Sequence, residues 1–189
     1  MSFVGAISSG FKNYVNFKGK ASRAQYWYWV LFTLLLALVL GTIEGVIWPT
    51  AATTGDPVTD IQSLSTDFTP LTTISSLVLF LPNLSILARR LHDAGFSAKW
   101  LFLIIVPAAY SIFATIGAIV LINDYPSGQE FSPELLISLV FLIVPILALA
   151  AIVFIIFLVL VLKTSKSFYD GNKYVEPEPL DSLDEGTTA

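Results

Sequence analysis

Four apolar stretches, each about as long as a helix that crosses a bilayer, constrain this chain more than any other feature. Roughly 30 Å of hydrocarbon requires about 20 helical residues, and the apolar runs predict spans at about residues 25–48, 71–88, 99–122 and 134–162. The second span is the weakest, because it contains several hydroxyl side chains and Pro82. Together they predict an all-α membrane protein, a bundle of four transmembrane helices.

The positions of the basic residues predict the orientation of these spans. All ten lysines and arginines lie before residue 25, within residues 88–99 or after residue 162, and the loops 49–69 and 123–133 contain none. Lys and Arg near the ends of spans are retained on the cytoplasmic side, so both termini and the 88–99 loop are predicted to be cytoplasmic. The weak second span is needed for this pattern, since without it the basic loop would lie opposite the basic amino terminus.

The segments outside the spans predict a short helix and a disordered tail. Ahead of the first span, apolar side chains recur at helical spacing, which predicts an amphipathic helix in the cytoplasmic interface, although Gly10 weakens it. The charges within the first 24 residues argue against a cleaved signal peptide. Residues 178–189 form an acidic tail, predicted to be disordered, which leaves residues 1–177 as a single transmembrane domain.

Composition excludes several kinds of chemistry. Only 13% of the residues are charged, about half of the usual share of roughly 25%. The absence of cysteine excludes disulfides and thiol catalysis, and a single histidine leaves any metal site dependent on carboxylates. The sequence contains no Gly-rich phosphate loop, catalytic triad or paired intramembrane aspartates. We therefore expect no catalytic residue, metal, cofactor or nucleic-acid partner.

The predicted loop between the second and third spans carries the strongest candidate site. If the second helix continues inward, Arg89 and Asp93 lie four residues apart and can pair, Gly95 can end the helix and Ser97 can cap the next. The functional interpretation is an anion or lipid-headgroup site, in which arginine and lysine bind phosphate and the histidine carries a proton. The structural alternative is a positive-inside loop with a well-shaped turn. The predicted site residues are Arg89, Arg90, His92 and Lys99 from the loop, with Lys20 and Arg23 from the amino-terminal segment.

Glu44 is the one ionisable residue well inside a predicted span. A charge at mid-membrane costs about 2.5–3.5 kcal/mol on insertion scales, so Glu44 is a candidate for ion or proton handling. Its position four residues before Trp48 favours instead the outer interface, where that cost is small.

Three motifs resemble a known family. They are Tyr14, Phe17, Gly19, Ser22-Arg23 and the aromatic run Tyr26-Trp27-Tyr28-Trp29; then Arg89-Arg90-Leu91-His92-Asp93-Ala94-Gly95 with Ser97 and Trp100; and Gly171-Asn172-Lys173-Tyr174 followed by Glu176-Pro177. In this order they resemble the domain-of-unknown-function 805 family of small bacterial inner-membrane proteins. The resemblance covers residues from about 11 to 177 and implies a helical bundle in the bacterial inner membrane, without implying an activity.

Three functional hypotheses follow from these observations. The first is a non-enzymatic membrane module whose cytoplasmic basic face binds anionic lipid or a partner protein. The second is a small transporter or channel component that uses Glu44 and the polar second helix. A homo-oligomer is one assembly that this hypothesis allows. The third is an enzyme that acts on phosphorylated headgroups. A transport pathway needs Glu44 and Asn83 in one polar interior, and an enzyme needs His92, Asp93 and both arginines in one cleft.

Overall fold

The computed structural model describes residues 1–49, 55, 59–60, 69–126, 131–174 and 177. These residues are helical or irregular, with no strand among them. The α-helices are α1 (Phe3–Lys12), α2 (Arg23–Ile47), α3 (Pro70–Asp93), α4 (Ile105–Asn123) and α5 (Pro133–Leu162), and a 3₁₀ helix, Ala98–Ile104, leads directly into α4.

Four helical stretches are long and apolar enough to cross a membrane, and they correspond in order to the four predicted spans. They are Arg23–Ile47, Pro70–Asp93, Ala98–Asn123 and Pro133–Leu162. The all-α fold with four candidate spans is therefore confirmed. Helix α3, which forms the second span, extends five residues beyond the predicted end at Ala88, because no helix terminator occurs before Gly95. The predicted disordered tail, 178–189, lies outside the described residues.

The chain divides into two compact units that differ in charge. The first unit comprises Met1–Leu35, Leu77–Leu101 and Phe157–Ala189, and the second comprises Leu36–Ser76 and Phe102–Ile156. All ten lysines and arginines belong to the first unit, and the second has none although it carries seven acidic residues. The single domain expected for residues 1–177 stays a prediction.

Helix α1 packs closely on Trp29 within the first unit. Ser2 caps the helix by accepting a hydrogen bond from the Gly5 N–H at 3.2 Å. Gly10 is buried, and a Cβ at this position would overlap the Trp29 ring. Trp29 is itself buried, and its ring lies edge-on to that of Phe11, with 5.3 Å between ring centroids. The glycine expected to weaken α1 is therefore what allows the helix to approach the tryptophan.

Trp29 is a core residue, although the aromatic run Tyr26-Trp27-Tyr28-Trp29 at the start of the first span is the pattern of a belt at the membrane interface. Only 1% of its surface is exposed, and its Nε1–H donates to Asn83 Oδ1 at 2.7 Å. Its neighbours Trp27 and Tyr28 are exposed, as expected for a belt. The sequence suggested the wrong role for Trp29 because adjacent aromatic residues on a helix face different directions.

The start of α2 follows only part of the capping-box pattern that Ser22 and Gln25 form in the sequence. Ser22 Oγ accepts a hydrogen bond from the Gln25 N–H at 3.2 Å, as an N-cap should. A full capping box would return the Gln25 side chain to the Ser22 N–H, whereas Gln25 Nε2 donates to Ser9 Oγ at 2.8 Å. The glutamine therefore joins α2 to α1.

A tyrosine compensates for the proline inside α3. Pro82 has no N–H, so the carbonyl four residues earlier, that of Val78, loses its helical partner. The hydroxyl of Tyr14, which follows α1, donates to this carbonyl. In an apolar environment an unsatisfied backbone group is costly, so this contact helps α3 to continue through the proline.

The same arrangement occurs in the second unit. Pro145 lies inside α5, and the carbonyl it leaves without a helical partner is that of Phe141. The Tyr110 hydroxyl, from α4, donates to this carbonyl at 3.3 Å. Helix α5 is continuous through Pro145.

Candidate anion-binding site

The end of α3 is a glycine-terminated turn. The Phe96 N–H donates to the Leu91 carbonyl at 2.8 Å, and the Gly95 N–H donates to the His92 carbonyl at 3.0 Å. Gly95 has a φ of +85°, as the residue after a helix with this pattern requires. Ser97 Oγ then accepts from the Lys99 N–H at 3.2 Å. The predicted terminator and cap are both confirmed.

Arg90 is fully buried and holds the end of α5. Its Nε and Nη2 donate to the Val161 carbonyl at 3.0 Å and 2.8 Å, and Nη2 also donates to the Lys163 carbonyl. These carbonyls lie where α5 ends and have no further turn to pair with. Its Nη1 forms an ion pair with Asp93. The predicted pair of Arg89 with Asp93 is wrong, because the neighbouring arginine takes the aspartate at a spacing of three.

The segment after α5 is fastened to the same end of α3. Asp93 accepts a hydrogen bond from the Ser165 hydroxyl, and its carbonyl accepts from the Lys166 N–H at 2.8 Å. Asn172, only 2% exposed, donates from Nδ2 to the His92 carbonyl at 2.8 Å and to the Lys166 carbonyl at 3.0 Å. We call these contacts, together with those of Arg90, the tail clasp.

Two further side chains beside the tail clasp, those of His92 and Asp170, are also held by contacts with the segment after α5. His92, the predicted proton carrier, is half-buried, and its ring stacks on that of Tyr174 with 4.8 Å between centroids and an interplanar angle of 12°. Asp170 accepts from the N–H and the hydroxyl of Ser167 at 2.9 Å and 2.8 Å. These two hydrogen bonds hold the pKa of the Asp170 carboxyl below its usual value.

Arg89 differs sharply from its neighbour. It is 3% exposed, and its Nε and Nη2 are buried without a hydrogen-bond acceptor among the described residues. Its carbonyl accepts from the Ala21 N–H at 3.2 Å. Ser85, one turn earlier on the same face, donates its hydroxyl to the Asn13 carbonyl at 3.0 Å. This face of α3 therefore lies against the segment between α1 and α2, and the guanidinium there has no counter-charge among the described residues.

The other predicted site residues are exposed cations on the same unit. Lys20, Arg23 and Lys99 are all exposed. Five more lysines of the first unit are also exposed: Lys12, Lys18, Lys163, Lys166 and Lys173. In the described part of this unit the acidic residues are Asp93 and Asp170, and both are already hydrogen-bonded. The described part of the first unit therefore carries a strong excess of positive charge, while five further acidic residues of this unit lie in the sequence after Tyr174.

Glu44, in the second unit, caps a helix. Its side chain is buried at 4% exposure, and its carboxylate accepts hydrogen bonds from the Leu71 N–H, the Thr72 N–H at 3.1 Å and the Thr72 hydroxyl at 2.7 Å. These N–H groups belong to the first turn of α3, which begins at Pro70, and helix N-termini favour negative charge. Sequence analysis missed this role, although a proline before two threonines indicates a helix start. Ion or proton handling by Glu44 stays a prediction.

No cluster of three or more His, Cys, Asp or Glu side chains suitable for a metal occurs in residues 1–49, 69–126 or 131–174, nor at the other described positions.

A comparison with protein families identifies the chain. The model of a family described as a protein of unknown function, DUF805, matches residues 14–176. The chain belongs to the DUF805 family. The match begins at Tyr14, whose hydroxyl bonds the Val78 carbonyl, and includes Arg89, Arg90 and the tail clasp. The DUF805 region therefore includes the whole candidate site.

Curated relatives of this DUF805 protein come from Escherichia coli. Inner membrane protein YhaH of strain K12 is 35% identical over 97 residues, which is 51% of this chain and 69% of the relative. Inner membrane protein YhaI of the same strain is 38% identical over 96 residues, 51% of this chain and 67% of the relative. No solved structure matches the chain.

Proposed function

We propose that this DUF805 protein is a non-enzymatic module of the bacterial inner membrane whose first unit faces the cytoplasm and binds anionic lipid there. The inner-membrane location is supported by the names of YhaH and YhaI and by the four apolar helices. The orientation is supported by the charge distribution, since basic residues are retained on the cytoplasmic side. Both chain termini belong to the first unit, so both are cytoplasmic, and the amphipathic α1 lies in the interface.

The observation that carries the proposal is the concentration of exposed lysine and arginine on the first unit. Eight exposed basic residues belong to it, while the second unit has none. A near-surface Lys or Arg contributes roughly 1 kcal/mol of attraction to anionic lipid. Even partial engagement of this set therefore favours an anionic over a zwitterionic bilayer surface. A cytoplasmic protein partner or a second copy of the chain would use the same face.

The transport and catalytic hypotheses receive less support. A pathway requires Glu44 to be available to an ion, whereas its carboxylate already accepts three hydrogen bonds at the start of α3. An enzyme requires free acid–base groups beside the arginines. Asp93 is engaged by Arg90 and Ser165, and His92 is stacked on a tyrosine.

Single cysteines test the orientation, because the native chain has none. A cysteine replacing Thr59, in the second unit, should react with an impermeant thiol reagent in intact spheroplasts. A cysteine replacing Ser97, in the first unit, should react only after lysis. Labelling of the Ser97 position in intact spheroplasts would contradict the proposed orientation.

Lipid retention tests the binding. Protein in nanodiscs of mixed phosphatidylglycerol and phosphatidylcholine should co-purify with excess phosphatidylglycerol, measured by mass spectrometry of the retained lipid. Glutamine at Lys12, Lys18 and Lys99 together should reduce this excess, and added salt should reduce it further. The matched control is Glu134→Gln in the second unit. Equal retention of both lipids by the wild type would refute the proposal.

A further inference from the structure

Arg89 is the least satisfied polar side chain described in this chain. Buried polar groups in proteins nearly always have hydrogen-bond partners, and an exception calls for an explanation. Arg89 has two such atoms, Nε and Nη2, on a residue that is only 3% exposed. A guanidinium stays charged in proteins, so it cannot relieve this burial by losing a proton.

The two unpartnered atoms form one edge of the guanidinium. The N–H of Nε and the outward N–H of Nη2 point in the same direction, and this fork matches two oxygens of a carboxylate or a phosphate. The next residue shows the same edge in use, because Arg90 directs its Nε and Nη2 at the Val161 carbonyl at 3.0 Å and 2.8 Å. The Nε–Nη2 edge of Arg90 thus has a carbonyl acceptor, whereas the same edge of Arg89 is buried without an acceptor among the described residues.

The described part of the first unit offers no carboxylate for this fork. Its two acidic residues are Asp93, paired with Arg90, and Asp170, bonded to Ser167. The other basic residues of this unit that are exposed, including Arg23 and Lys99, attract anions to the unit. No acceptor for the fork therefore lies among the described residues of this unit, and an external anion attracted to the unit can supply it.

We propose that the Nε–Nη2 edge of Arg89 is the receptor for one phosphate oxyanion, supplied by the headgroup of an anionic phospholipid. This inference rests on the proposed function and adds a specific site to it. The exposed lysines and arginines attract anionic lipid without selecting one molecule, whereas Arg89 holds a single phosphate by two parallel hydrogen bonds. Its position near the end of a helix long enough to span the membrane fits a ligand that is itself part of the bilayer.

Arg89→Lys tests the fork separately from the charge. Lysine keeps the positive charge but presents a single ammonium in place of two parallel donors. In nanodiscs that contain phosphatidylglycerol, Arg89→Lys should lower the affinity for the tightly retained lipid by about tenfold. This is the effect of losing one strong charge-assisted hydrogen bond. The control, Glu134→Gln, lies on the second unit outside the basic residues and should retain lipid as the wild type does.

The outcomes separate this inference from the proposed function. If wild type and Arg89→Lys both favour phosphatidylglycerol to the same extent, the basic face binds anionic lipid and the Arg89 receptor is refuted. If the wild type shows no preference, both proposals fail. A third arm adds inorganic phosphate to protein in phosphatidylcholine nanodiscs. Stabilisation there that Arg89→Lys abolishes supports the oxyanion receptor and identifies a soluble phosphate as its source.

Thermal stability provides a second readout in case a variant folds poorly. Arg89→Met removes a buried charge that has no partner, so in phosphatidylcholine nanodiscs its Tm should equal or exceed that of the wild type. The wild type should gain stability when phosphatidylglycerol is added, and Arg89→Met should lose that gain. A Tm that falls equally in both lipids would show a structural role for Arg89 and overturn the inference.

Discussion

Replacing Arg90 by methionine should release the end of α5 from α3 and destabilise the protein. The change keeps an unbranched side chain but removes every hydrogen bond to the Val161 and Lys163 carbonyls, and it leaves Asp93 unpaired at 4% exposure. Removing one partner of a buried ion pair costs about 3–5 kcal/mol. For a chain of this size each kcal/mol lowers Tm by about 2–4 °C. The expected decrease is therefore about 6–20 °C.

Two assays check this prediction, one global and one local. Circular dichroism in detergent gives Tm, and limited trypsin digestion gives the rate of cleavage after Lys163, whose carbonyl Arg90 holds. Cleavage there should become much faster in Arg90→Met. The control is Arg23→Met, at an exposed arginine, where the change in stability should stay within about 0.5 kcal/mol. A Tm within 2 °C (~0.5–1 kcal/mol) of the wild type, with an unchanged cleavage rate, would refute the clasp.

A second substitution separates the stability lost with the Arg90 hydrogen bonds from the stability lost because Asp93 is left unpaired. Adding Asp93→Leu to Arg90→Met removes the unpaired charge, so the double variant should recover part of the lost stability. The interaction energy between the two sites should be about 0.5–3 kcal/mol, as for residues in direct contact. Strictly additive effects would show that the pair does not act as a unit.

Three further substitutions test contacts elsewhere in the two units. Tyr14→Phe removes the hydroxyl that serves the Val78 carbonyl and should destabilise the protein in thermal unfolding by about 0.6–1.7 kcal/mol, the range for buried hydrogen bonds in membrane bundles. Gly10→Ala places a methyl group in the Trp29 ring and should cost about 1–3 kcal/mol, with faster hydrogen exchange in α1. Glu44→Gln removes the negative charge from the start of α3 and should lower Tm by a few degrees.

Matched variants control each of these measurements. Tyr28→Phe removes an exposed hydroxyl, Gly41→Ala adds a methyl group where no atom lies within 4 Å, and Ser76→Ala removes a hydroxyl that bonds within its own helix. All three should behave like the wild type. If Tyr14→Phe or Glu44→Gln is as stable as its control, the predicted role of that contact is contradicted. If Gly10→Ala leaves the hydrogen exchange of α1 unchanged, the predicted role of the Gly10 packing is contradicted.

Local signals in the sequence were sufficient for the helices and their ends. Apolar length predicted the four spans, Gly95 marked the end of α3, and Ser22 and Ser97 marked the next helix starts. Each helix end depends on residues within about five positions, and each span depends on one continuous apolar run of about 20 residues. A single sequence carries that information directly.

The candidate site depended on distant residues and was predicted only in outline. Spacing along α3 allowed Arg89 to pair with Asp93, but the choice of arginine depends on the end of α5, about 70 residues later. The role of Glu44 likewise depends on where α3 begins. Charge counting selected both arginines and could not tell the structural Arg90 from Arg89, whose Nε and Nη2 have no acceptor among the described residues.

The two proline–tyrosine contacts have a consequence for how the helices find their neighbours during membrane insertion. A span that carries a proline enters the apolar phase with one carbonyl unsatisfied, and such a group costs several kcal/mol there, about the same as a whole buried side chain contributes. Packing against a neighbour without a suitably placed hydroxyl leaves that cost in full. Tyr14 and Tyr110 remove it for Val78 and Phe141. Each tyrosine is therefore expected to favour the native packing of its own unit, because a proline-containing helix that packs elsewhere keeps its unsatisfied carbonyl.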